Sequence, residues 1–438
     1  MIINNISLKN FKCFKDVELN FSRITLLTGA NSSGKSSLLY GILAPFQSKD
    51  FPFYLSPNGK YVNMGDFADI SFNNITENPI GIDISVRNIV SNKDLDYIIL
   101  DRVYQFKTRW MIDNPNNNMP SLNYVKVTTF RNDFQKIEDR ISNFEIKAEN
   151  SSFLLNFQYY EGYDNEGRPL PSAAEFDDVY SNTQFNSLDE LKKDFWDDNK
   201  LIKDLHRFSN QQGYLDEQKL NFISSFRLRP ERTYYQKTKS DKVDAYGENY
   251  IDQIIEWENS NSKKFHELNS ILRDLALLRS IKTKKLQGGR FELRAEVNSQ
   301  GVSASLTDVG FGISQFLPII VADLQLSRNS TLLLAQPEIH LHPSVQALLG
   351  NYFIKQTKEY DKHYIIETHS EYLLNRIRLA IVKGEIESFD VSVYYFENTI
   401  DGTKTYEIEF TENGEIKNAP QGFFDTYMMD VMDIALHA

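Results

Sequence analysis

A phosphate-binding loop is the feature of this sequence that most constrains its fold. Residues 29–36 read GANSSGKS and match the pattern GxxxxGK[ST] at every fixed position. The apolar run at residues 24–27 predicts a β-strand before the loop, and residues 36–42 predict the start of a helix after it. Glycines let the loop amides face phosphate oxygens, and the helix start adds its positive dipole end. The segment therefore predicts a binding site for ATP or GTP.

Two side chains of the loop have distinct predicted roles. Lys35 reaches the β- and γ-phosphates, and Ser36 holds Mg²⁺. The residues predicted to bind the nucleotide are Gly29, Asn31, Ser32, Ser33, Gly34, Lys35, Ser36 and Ser37.

Composition is that of an ordinary globular protein. The chain has 438 residues, of which 41% are hydrophobic and 25% are charged, and this permits a sizeable core. The net charge of −12 gives no overall attraction to nucleic acid, but it is compatible with a local basic face, so DNA stays a possible partner. Cys13 is the only cysteine, which excludes an internal disulfide and a cysteine-based zinc site.

Two segments bear on localisation. The N-terminal sequence MIINNISLKNFKCF lacks the long apolar core of a signal peptide. The most apolar later region, residues 316–334, is interrupted by Asp323, Gln325, Arg328 and Asn329, so it does not predict a membrane-spanning helix. We therefore expect a soluble, cytoplasmic protein without a membrane partner.

The segment before the loop resembles the N-terminus of ABC-type ATPases of the SMC and OLD kind. Residues 2–8 and 16–21 predict two strands around the turn NFKCFKD, and the strand at 24–27 is the third. The resemblance implies an α/β class, with an ABC-type P-loop NTPase fold, an antiparallel β subdomain and a helical or loop insertion.

A later loop contains a candidate Mg²⁺ ligand. Residues 61–67, YVNMGDF, resemble the YVxxGDF segment of an OLD-related subgroup. The resemblance implies that Asn63 or Asp66 senses Mg²⁺ and the γ-phosphate, and we predict Asp66 as a metal ligand together with Ser36. A surface turn fixed by Gly65 is the alternative.

The middle of the chain predicts antiparallel strands followed by an insertion. Residues 81–160 alternate apolar and polar side chains, as half-buried antiparallel strands do. Residues 175–220 are acidic and helical in pattern, and their charges form either solvated helix faces or a partner-binding surface. Residues 250–278 predict an amphipathic helical stretch, far too short for the coiled coil of SMC proteins.

An arginine-rich segment follows the insertion. Residues 222–235 resemble the PLRxxPxRxY element of the same subgroup, at Arg227, Pro230, Arg232 and Tyr234. Clustered arginine and tyrosine can contact phosphate or single-stranded nucleic acid. We favour a bracing role within the fold, because arginine packs along its stem and pairs with internal carboxylates.

Residues 306–318, LTDVGFGISQFLP, lie where an ABC ATPase has its signature loop before a helix. The resemblance implies that Gly310 and Gly312 contact the γ-phosphate of ATP held by another protomer. Gly310 replaces the commonest residue, serine, but a nest of backbone amides needs glycine geometry more than a hydroxyl. The resemblance therefore implies a homodimer, or a higher homo-oligomer, with ATP sandwiched between copies.

The sequence TLLLAQPEIHLHP, residues 331–343, resembles the Walker B and D-loop region of OLD-like ATPases. Ala335 occupies the position of the acid in the Mg²⁺ shell, and Gln336 occupies the position of the base. We predict weaker Mg²⁺ positioning and turnover lowered by about 10²- to 10⁴-fold, with ATP binding better preserved. Glu338 is either a substitute acid or, in the favoured interpretation, a structural contact. The protein is either a natural ATP-binding clamp or, as the intact surroundings favour, a chain in which glutamate was changed to alanine to trap ATP.

Three histidines complete the candidate site. His340 and His342 suggest a metal site, but no third ligand is near them in the sequence, and HLHP is also the D-loop of the related ATPases. His369 follows the predicted strand at residues 364–366 and matches the switch histidine of ABC folds, with a core histidine as the alternative. Glu367 is a further candidate acid near the γ-phosphate.

The predicted organisation has four parts. Residues 1–100 and 221–385 are the two halves of the ATPase domain, 101–220 are an inserted region, and 386–438 are a short C-terminal domain. The GFFD motif at 422–425 resembles the mark of a domain of unknown function, and the short C-terminal part leaves no room for a Toprim nuclease.

The predicted function is that of an ATPase that acts as a nucleotide-dependent sensor or switch. The resemblance implies that it controls a separately encoded effector, a nuclease or toxin, in bacterial defence against phage. A non-hydrolysing ATP-bound scaffold and a DNA-repair clamp are the alternatives.

Overall fold

The computed structural model describes most of the chain and divides it into two units. The described residues are 1–49, 51–92, 97–114, 117–133, 136–149, 152–159, 183–187, 189–190, 215–236, 242–297, 303–420 and 423. The first unit comprises Met1–Asn20, Ser37–Glu217 and Thr399–Thr403, and the second comprises Phe21–Ser36, Gln218–Asn398 and Lys404–Ala438. The four-part division remains a prediction.

An antiparallel sheet of eight strands forms most of the first unit. With strands numbered along the chain, its members are β1 (Ile2–Phe11), β2 (Phe14–Asn20), β4 (Ile80–Asn92), β5 (Tyr97–Asn114), β6 (Asn117–Asp133), β7 (Lys136–Glu149), β8 (Ser152–Tyr159) and β9 (Thr183–Phe185). Their spatial order is β2-β1-β4-β5-β6-β7-β8-β9. In β4, the apolar side chains at alternate positions from Ile80 to Val86 are all buried, and Ser85 between them is buried as well. The predicted antiparallel strands are confirmed.

A seven-stranded sheet contains the P-loop strand in the second unit. Its strands are β3 (Ile24–Gly29), β10 (Leu220–Ile223), β15 (Thr331–Ala335), β16 (His363–Glu367), β17 (Val391–Thr399), β18 (Gly402–Phe410) and β19 (Ile416–Lys417). Their order is β10-β15-β16-β3-β17-β18-β19, and the first five are parallel. Every residue of β3 and β15 is buried, as in parallel strands covered on both faces. The carboxyl ends of parallel strands converge at one edge, where α/β folds bind ligands.

Helices and a smaller sheet complete the described structure. The helices are α1 (Lys35–Gln47), α2 (Phe67–Ile70), α3 (Tyr250–Asn259), α4 (Lys263–Asp274), α5 (Phe311–Gln325), α6 (Pro343–Tyr360) and α7 (Glu371–Val382). The smaller sheet contains β11 (Tyr234–Tyr235), β12 (Ser280–Lys285), β13 (Arg290–Glu296) and β14 (Ser303–Ser305). The helix predicted after the P-loop is confirmed as α1.

The amphipathic helical stretch predicted at residues 250–278 is confirmed, and it consists of the two helices α3 and α4. The break falls between α3 and α4, where Asn261 has a positive φ of 50°. The hydroxyl of Ser262 then accepts a hydrogen bond from the amide of Lys264 and caps α4. Asparagine and serine favour such caps over helix interiors, because their side chains hydrogen-bond to the nearby backbone.

The structure confirms the predicted α/β class with an antiparallel subdomain. Most of the predicted acidic insertion, and the GFFD motif apart from Phe423, lie outside the described residues. Among the described residues, no helix combines the length and apolar character needed to cross a bilayer.

Candidate functional site

The P-loop connects the end of β3 to the start of α1, as the motif predicts. Gly34 has a φ of 99° and Ser32 a φ of 59°, so the loop uses backbone conformations that glycine adopts most readily. Gly29, with a φ of 131°, lies against β17: a Cβ on Gly29 would be 2.2 Å from the carbonyl oxygen of Phe396. The first glycine is therefore required by the neighbouring strand as well as by the turn.

Lys35 is held inside the loop. Its ammonium group donates hydrogen bonds to the carbonyl oxygens of Gly29 (3.0 Å) and Ala30 (2.6 Å) and to the hydroxyl of Ser33 (3.2 Å). The side chain is only 3% exposed. Burial lowers the pKa of Lys35, and the charge of Glu367 partly offsets this effect. The position of the ammonium group suits a side chain that binds phosphates within the same loop.

Ser36 contacts an acid at the end of a neighbouring strand. Its hydroxyl lies 3.0 Å from Oε1 and 2.8 Å from Oε2 of Glu367, to which it donates. Glu367 is the last residue of β16 and is 5% exposed. Burial raises the pKa of Glu367, while Ser36 and Lys35 act in the opposite direction. The predicted Mg²⁺ ligand Ser36 is thus paired with a carboxylate.

The positions predicted for the catalytic acid and base contain neutral side chains. Ala335 ends β15 and lies in register with Glu367 on β16. The next residue, Gln336, adopts a φ of 47°, and its amide donates to the carbonyl oxygen of Glu367 at 2.8 Å. The backbone of both residues therefore keeps its contacts with β16, although neither side chain can ionise.

The side chain of Glu338 contacts the backbone of His369. Oε1 of Glu338 accepts a hydrogen bond of 2.8 Å from the amide of His369. Glu338 is 6% exposed, and burial raises its pKa. The side chain of His369 is partly open to solvent. Its partial burial and the charge of Lys35 lower its pKa. This geometry agrees with the structural role favoured for Glu338, which fixes the backbone at His369.

The two signature glycines have different surroundings. Gly310 precedes α5 and has open space where a Cβ would lie. At Gly312, a Cβ would be 2.3 Å from the carbonyl oxygen of His340 in the D-loop. The ring of Phe311 packs edge-on against His340 with a centroid distance of 4.9 Å. Gly312 therefore lets α5 approach the D-loop within this unit, while the backbone at Gly310 is accessible.

Arg227 has the bracing role favoured from the sequence. Its buried guanidinium donates to the carbonyl oxygens of Gln315 (3.2 Å), Ala335 (2.9 Å) and Gln336 (2.8 Å). Burial lowers the pKa of Arg227 to about 10. The side chain therefore connects α5 to the end of β15. Arg232 instead forms an exposed ion pair with Asp308.

The remaining predicted ligands have local structural contacts. Asp66 belongs to the first unit and caps α2: its Oδ1 accepts from the amide of Asp69 at 3.1 Å, and Asp69 reciprocates. His342 caps α6 by accepting from the amide of Ser344. No group of three or more His, Cys, Asp or Glu side chains that could hold a metal occurs among the described residues. The structure thus gives Asp66 and His342 capping contacts, and the metal role of Asp66 remains a prediction.

The Ser36–Glu367 contact is the feature of the site that the sequence predicts least well. The sequence marks Glu367 as a candidate acid, because it follows an apolar strand, but does not show that the acid reaches Ser36. The contact depends on β16 lying between β15 and β3. The approach of Phe396 to Gly29 has no sequence signal.

A model of a known protein family matches the whole of this site. The model, described as an AAA ATPase domain, matches residues 1–374. The chain belongs to this family. A second model, described as a protein of unknown function (DUF3696), matches residues 386–434. No curated protein matches the chain.

Solved structures similar to this AAA ATPase domain protein include three SMC heads. The SMC head domain from Thermotoga maritima is 9% identical, with a TM-score of 0.39, and the match covers 92% of this chain and 98% of that one. The SmcHead bound to the C-winged helix domain of ScpA is 13% identical, with a TM-score of 0.41 and coverage of 94% and 99%. An Smc head domain with an extended coiled coil, bound to the C-terminal domain of ScpA derived from Pyrococcus furiosus, is 12% identical, with a TM-score of 0.36 and 99% coverage of both chains.

The AAA ATPase domain contains every predicted catalytic and nucleotide-binding residue, from Gly29 to His369. The residues present fit ATP and Mg²⁺. The loop amides, the ammonium of Lys35 and the hydroxyl of Ser36 supply the donors and the ligand that a triphosphate and its cation need. The first turn of α1 contains no acid that would repel phosphate. The family match confirms the predicted ATPase domain, and the structure places its P-loop strand in a parallel sheet.

Proposed function

We propose that this protein is an ATP-dependent switch that binds ATP and Mg²⁺ tightly and hydrolyses ATP slowly. One observation supports this most strongly. The P-loop contains Lys35 and Ser36, and Ser36 contacts the acid Glu367. At the same edge of the sheet, Ala335 and Gln336 have neutral side chains. The groups that would bind ATP are therefore present, but the position expected for the base contains no strong base.

The side chains of the site have separate roles in this proposal. Bound Mg²⁺·ATP supplies the phosphoryl group and the cation that neutralises it. Lys35 and the loop amides bind the phosphates, and Ser36 is a ligand of the cation. Gln336 orients water but accepts its proton poorly. His369 donates a hydrogen bond to the γ-phosphate, while partial burial and the charge of Lys35 lower its pKa.

The signature loop is proposed to act on ATP held by a second copy of the chain. The accessible backbone at Gly310, before the N-terminus of α5, offers amides and a positive dipole end to a phosphate. The contact of Gly312 with the D-loop fixes the start of this helix. Two copies arranged head to tail would then share two ATP molecules.

Control of a separate effector is proposed from the resemblance of residues 331–343 to OLD-like ATPases. In this proposal, ATP closes a cytoplasmic homodimer that holds or releases an effector, a nuclease or toxin, in bacterial defence. Slow hydrolysis would prolong the closed state. DNA remains a candidate trigger, but Arg227 is not available to bind it, because its guanidinium is buried.

ATP should drive association of the protein. We expect sedimentation velocity to show a dimer, or a higher oligomer, with Mg²⁺·ATP at protein concentrations where Mg²⁺·ADP leaves a monomer. The reason is that only ATP presents a γ-phosphate to the signature loop of the second copy. A species that stays monomeric in saturating Mg²⁺·ATP at every concentration would show that the sandwich does not form.

A non-hydrolysing scaffold is the second candidate function, and Ala335 favours it. In that case the ATP-bound dimer recruits partners without turnover. Restoring an acid at position 335 separates the two functions, as described below, and identification of the protein that co-purifies with the chain would name the effector.

A further inference from the structure

The sheet places Glu367 next to the position that lacks an acid. In the parallel ladder, Glu367 lies in register with Ala335 on one side and with Leu27 on the other. Its side chain therefore emerges between β15 and the P-loop strand, at the carboxyl edge of the sheet. Ala335 and Glu367 are in-register neighbours, so the two residues direct their side chains to the same face.

The charge of Lys35 acts on the carboxylate of Glu367 from nearby, but Lys35 forms no ion pair with it. The carboxylate is 5% exposed, and Ser36 is the side chain that donates hydrogen bonds to it. Among the described residues, no lysine or arginine forms an ion pair with it within 4 Å. A buried carboxylate with one hydroxyl donor costs free energy unless a positive group joins it. A bound cation would supply that group.

The spacing of the oxygen atoms suits Mg²⁺. Mg²⁺ takes octahedral oxygen ligands at about 2.0–2.1 Å, so two adjacent ligands lie about 2.9 Å apart. The hydroxyl of Ser36 lies 2.8 Å and 3.0 Å from the two carboxylate oxygens. A cation can therefore bind the hydroxyl oxygen and a carboxylate oxygen with little movement of either side chain, while the hydroxyl keeps its proton and turns it away from Glu367.

We propose that Glu367, together with Ser36, provides the protein ligands of the divalent cation of ATP, in place of the acid missing at position 335. The proposal rests on the proposed ATP binding at the P-loop. In this proposal the carboxylate that binds the cation lies on β16 instead of β15. Asp66 and the other residues of the first unit are not ligands of the cation. Cation-dependent ATP binding then persists with alanine at position 335.

Because Glu367 is charged, the proposal predicts opposite effects on ATP binding with and without a divalent cation. Without a divalent cation, the carboxylate repels the phosphates of ATP. With Mg²⁺, it attracts the cation that bridges them. Glu367→Gln should therefore tighten ATP binding in EDTA and weaken the gain that Mg²⁺ provides. A merely structural role for Glu367 does not predict opposite changes.

The test is the ratio of the ATP dissociation constants in EDTA and in Mg²⁺, measured by fluorescent-nucleotide titration. Glu367→Gln should lower this ratio by about 10-fold or more, the scale on which changes around a metal ligand act. Glutamine keeps the size of the side chain and an oxygen that accepts from Ser36. Glu385→Gln, which removes an exposed charge in the same unit, should leave the ratio unchanged.

A second readout uses Mn²⁺ in place of Mg²⁺. The electron paramagnetic resonance signal of Mn²⁺·ATP should show weaker cation binding in Glu367→Gln and in Ser36→Ala, and the double variant should lose less than the sum, because both residues hold one ion. An unchanged ratio and an unchanged Mn²⁺ affinity in Glu367→Gln, with ATP still bound, would overturn this proposal and leave the proposed function standing. Absence of ATP binding by the parent chain in both EDTA and Mg²⁺ would overturn both.

Discussion

Ala335→Glu should raise the rate of phosphate release by about 10²-fold or more, the range that a positioned base contributes. The new carboxylate would extend from the end of β15 beside Glu367, at the edge of the sheet that bears Ser36. With Glu367 as a ligand of the cation, the acid at position 335 is free to accept a proton from water. Steady-state phosphate release under saturating Mg²⁺·ATP measures the effect.

Two variants control for this gain. Ala335→Gln has the size of glutamate without its charge, and should stay near the parent rate. Adding Lys35→Ala to Ala335→Glu should abolish the gain, which excludes a contaminating ATPase. If Ala335→Glu turns over no faster than the parent chain, the non-hydrolysing scaffold becomes the better description.

Gly29→Ala should destabilise the second unit by about 3 kcal/mol or more, because overpacking and backbone strain each cost about 1–3 kcal/mol. The added Cβ would lie 2.2 Å from the carbonyl oxygen of Phe396, and the φ of 131° is unfavourable for alanine. Both strands have a neighbouring strand on each side in the seven-stranded sheet, so neither backbone can move freely. Urea unfolding measures the loss, and nucleotide titration at low temperature should show impaired ATP binding.

Two other glycines separate the contributions to this effect. Gly384 has a φ of 67° but open space around a Cβ, so Gly384→Ala should cost about 1 kcal/mol from backbone strain alone. Gly310 has open space and an ordinary negative φ, so Gly310→Ala should be close to neutral. Equal losses for Gly29→Ala and Gly384→Ala would show that the approach of β17 is not what requires glycine.

The sequence predicted local features of the fold well. The P-loop pattern placed β3 and α1, because glycine, lysine and serine at fixed spacing have a strong local meaning. Alternation predicted the antiparallel strands, since one face of that sheet is buried. The helical stretch predicted at residues 250–278 did not include its internal break, although the polar run ENSNSKK at residues 258–264 separates the apolar residues of the two helices.

The contacts that complete the site could not be predicted from the sequence. They join strands that are distant in the chain, as with Ser36 and Glu367, or Gly29 and Phe396. Which residues meet depends on the strand order β15-β16-β3-β17, and local propensity does not encode that order. The burial of Arg227 is of the same kind, because its partners are backbone carbonyls on two other elements.

Whether a triphosphate binds at the P-loop is tested most directly by isothermal titration calorimetry of the full chain with Mg²⁺·ATP. We expect saturable binding of one ATP per chain in the parent protein, and affinity reduced by about 10²-fold or more in Lys35→Ala, because each charge-assisted hydrogen bond to phosphate contributes about 1.5–3 kcal/mol. An unchanged melting temperature in Lys35→Ala would show that the fold is intact. ATP binding of equal affinity in both proteins, or no binding by the parent chain, would contradict a nucleotide site at this loop.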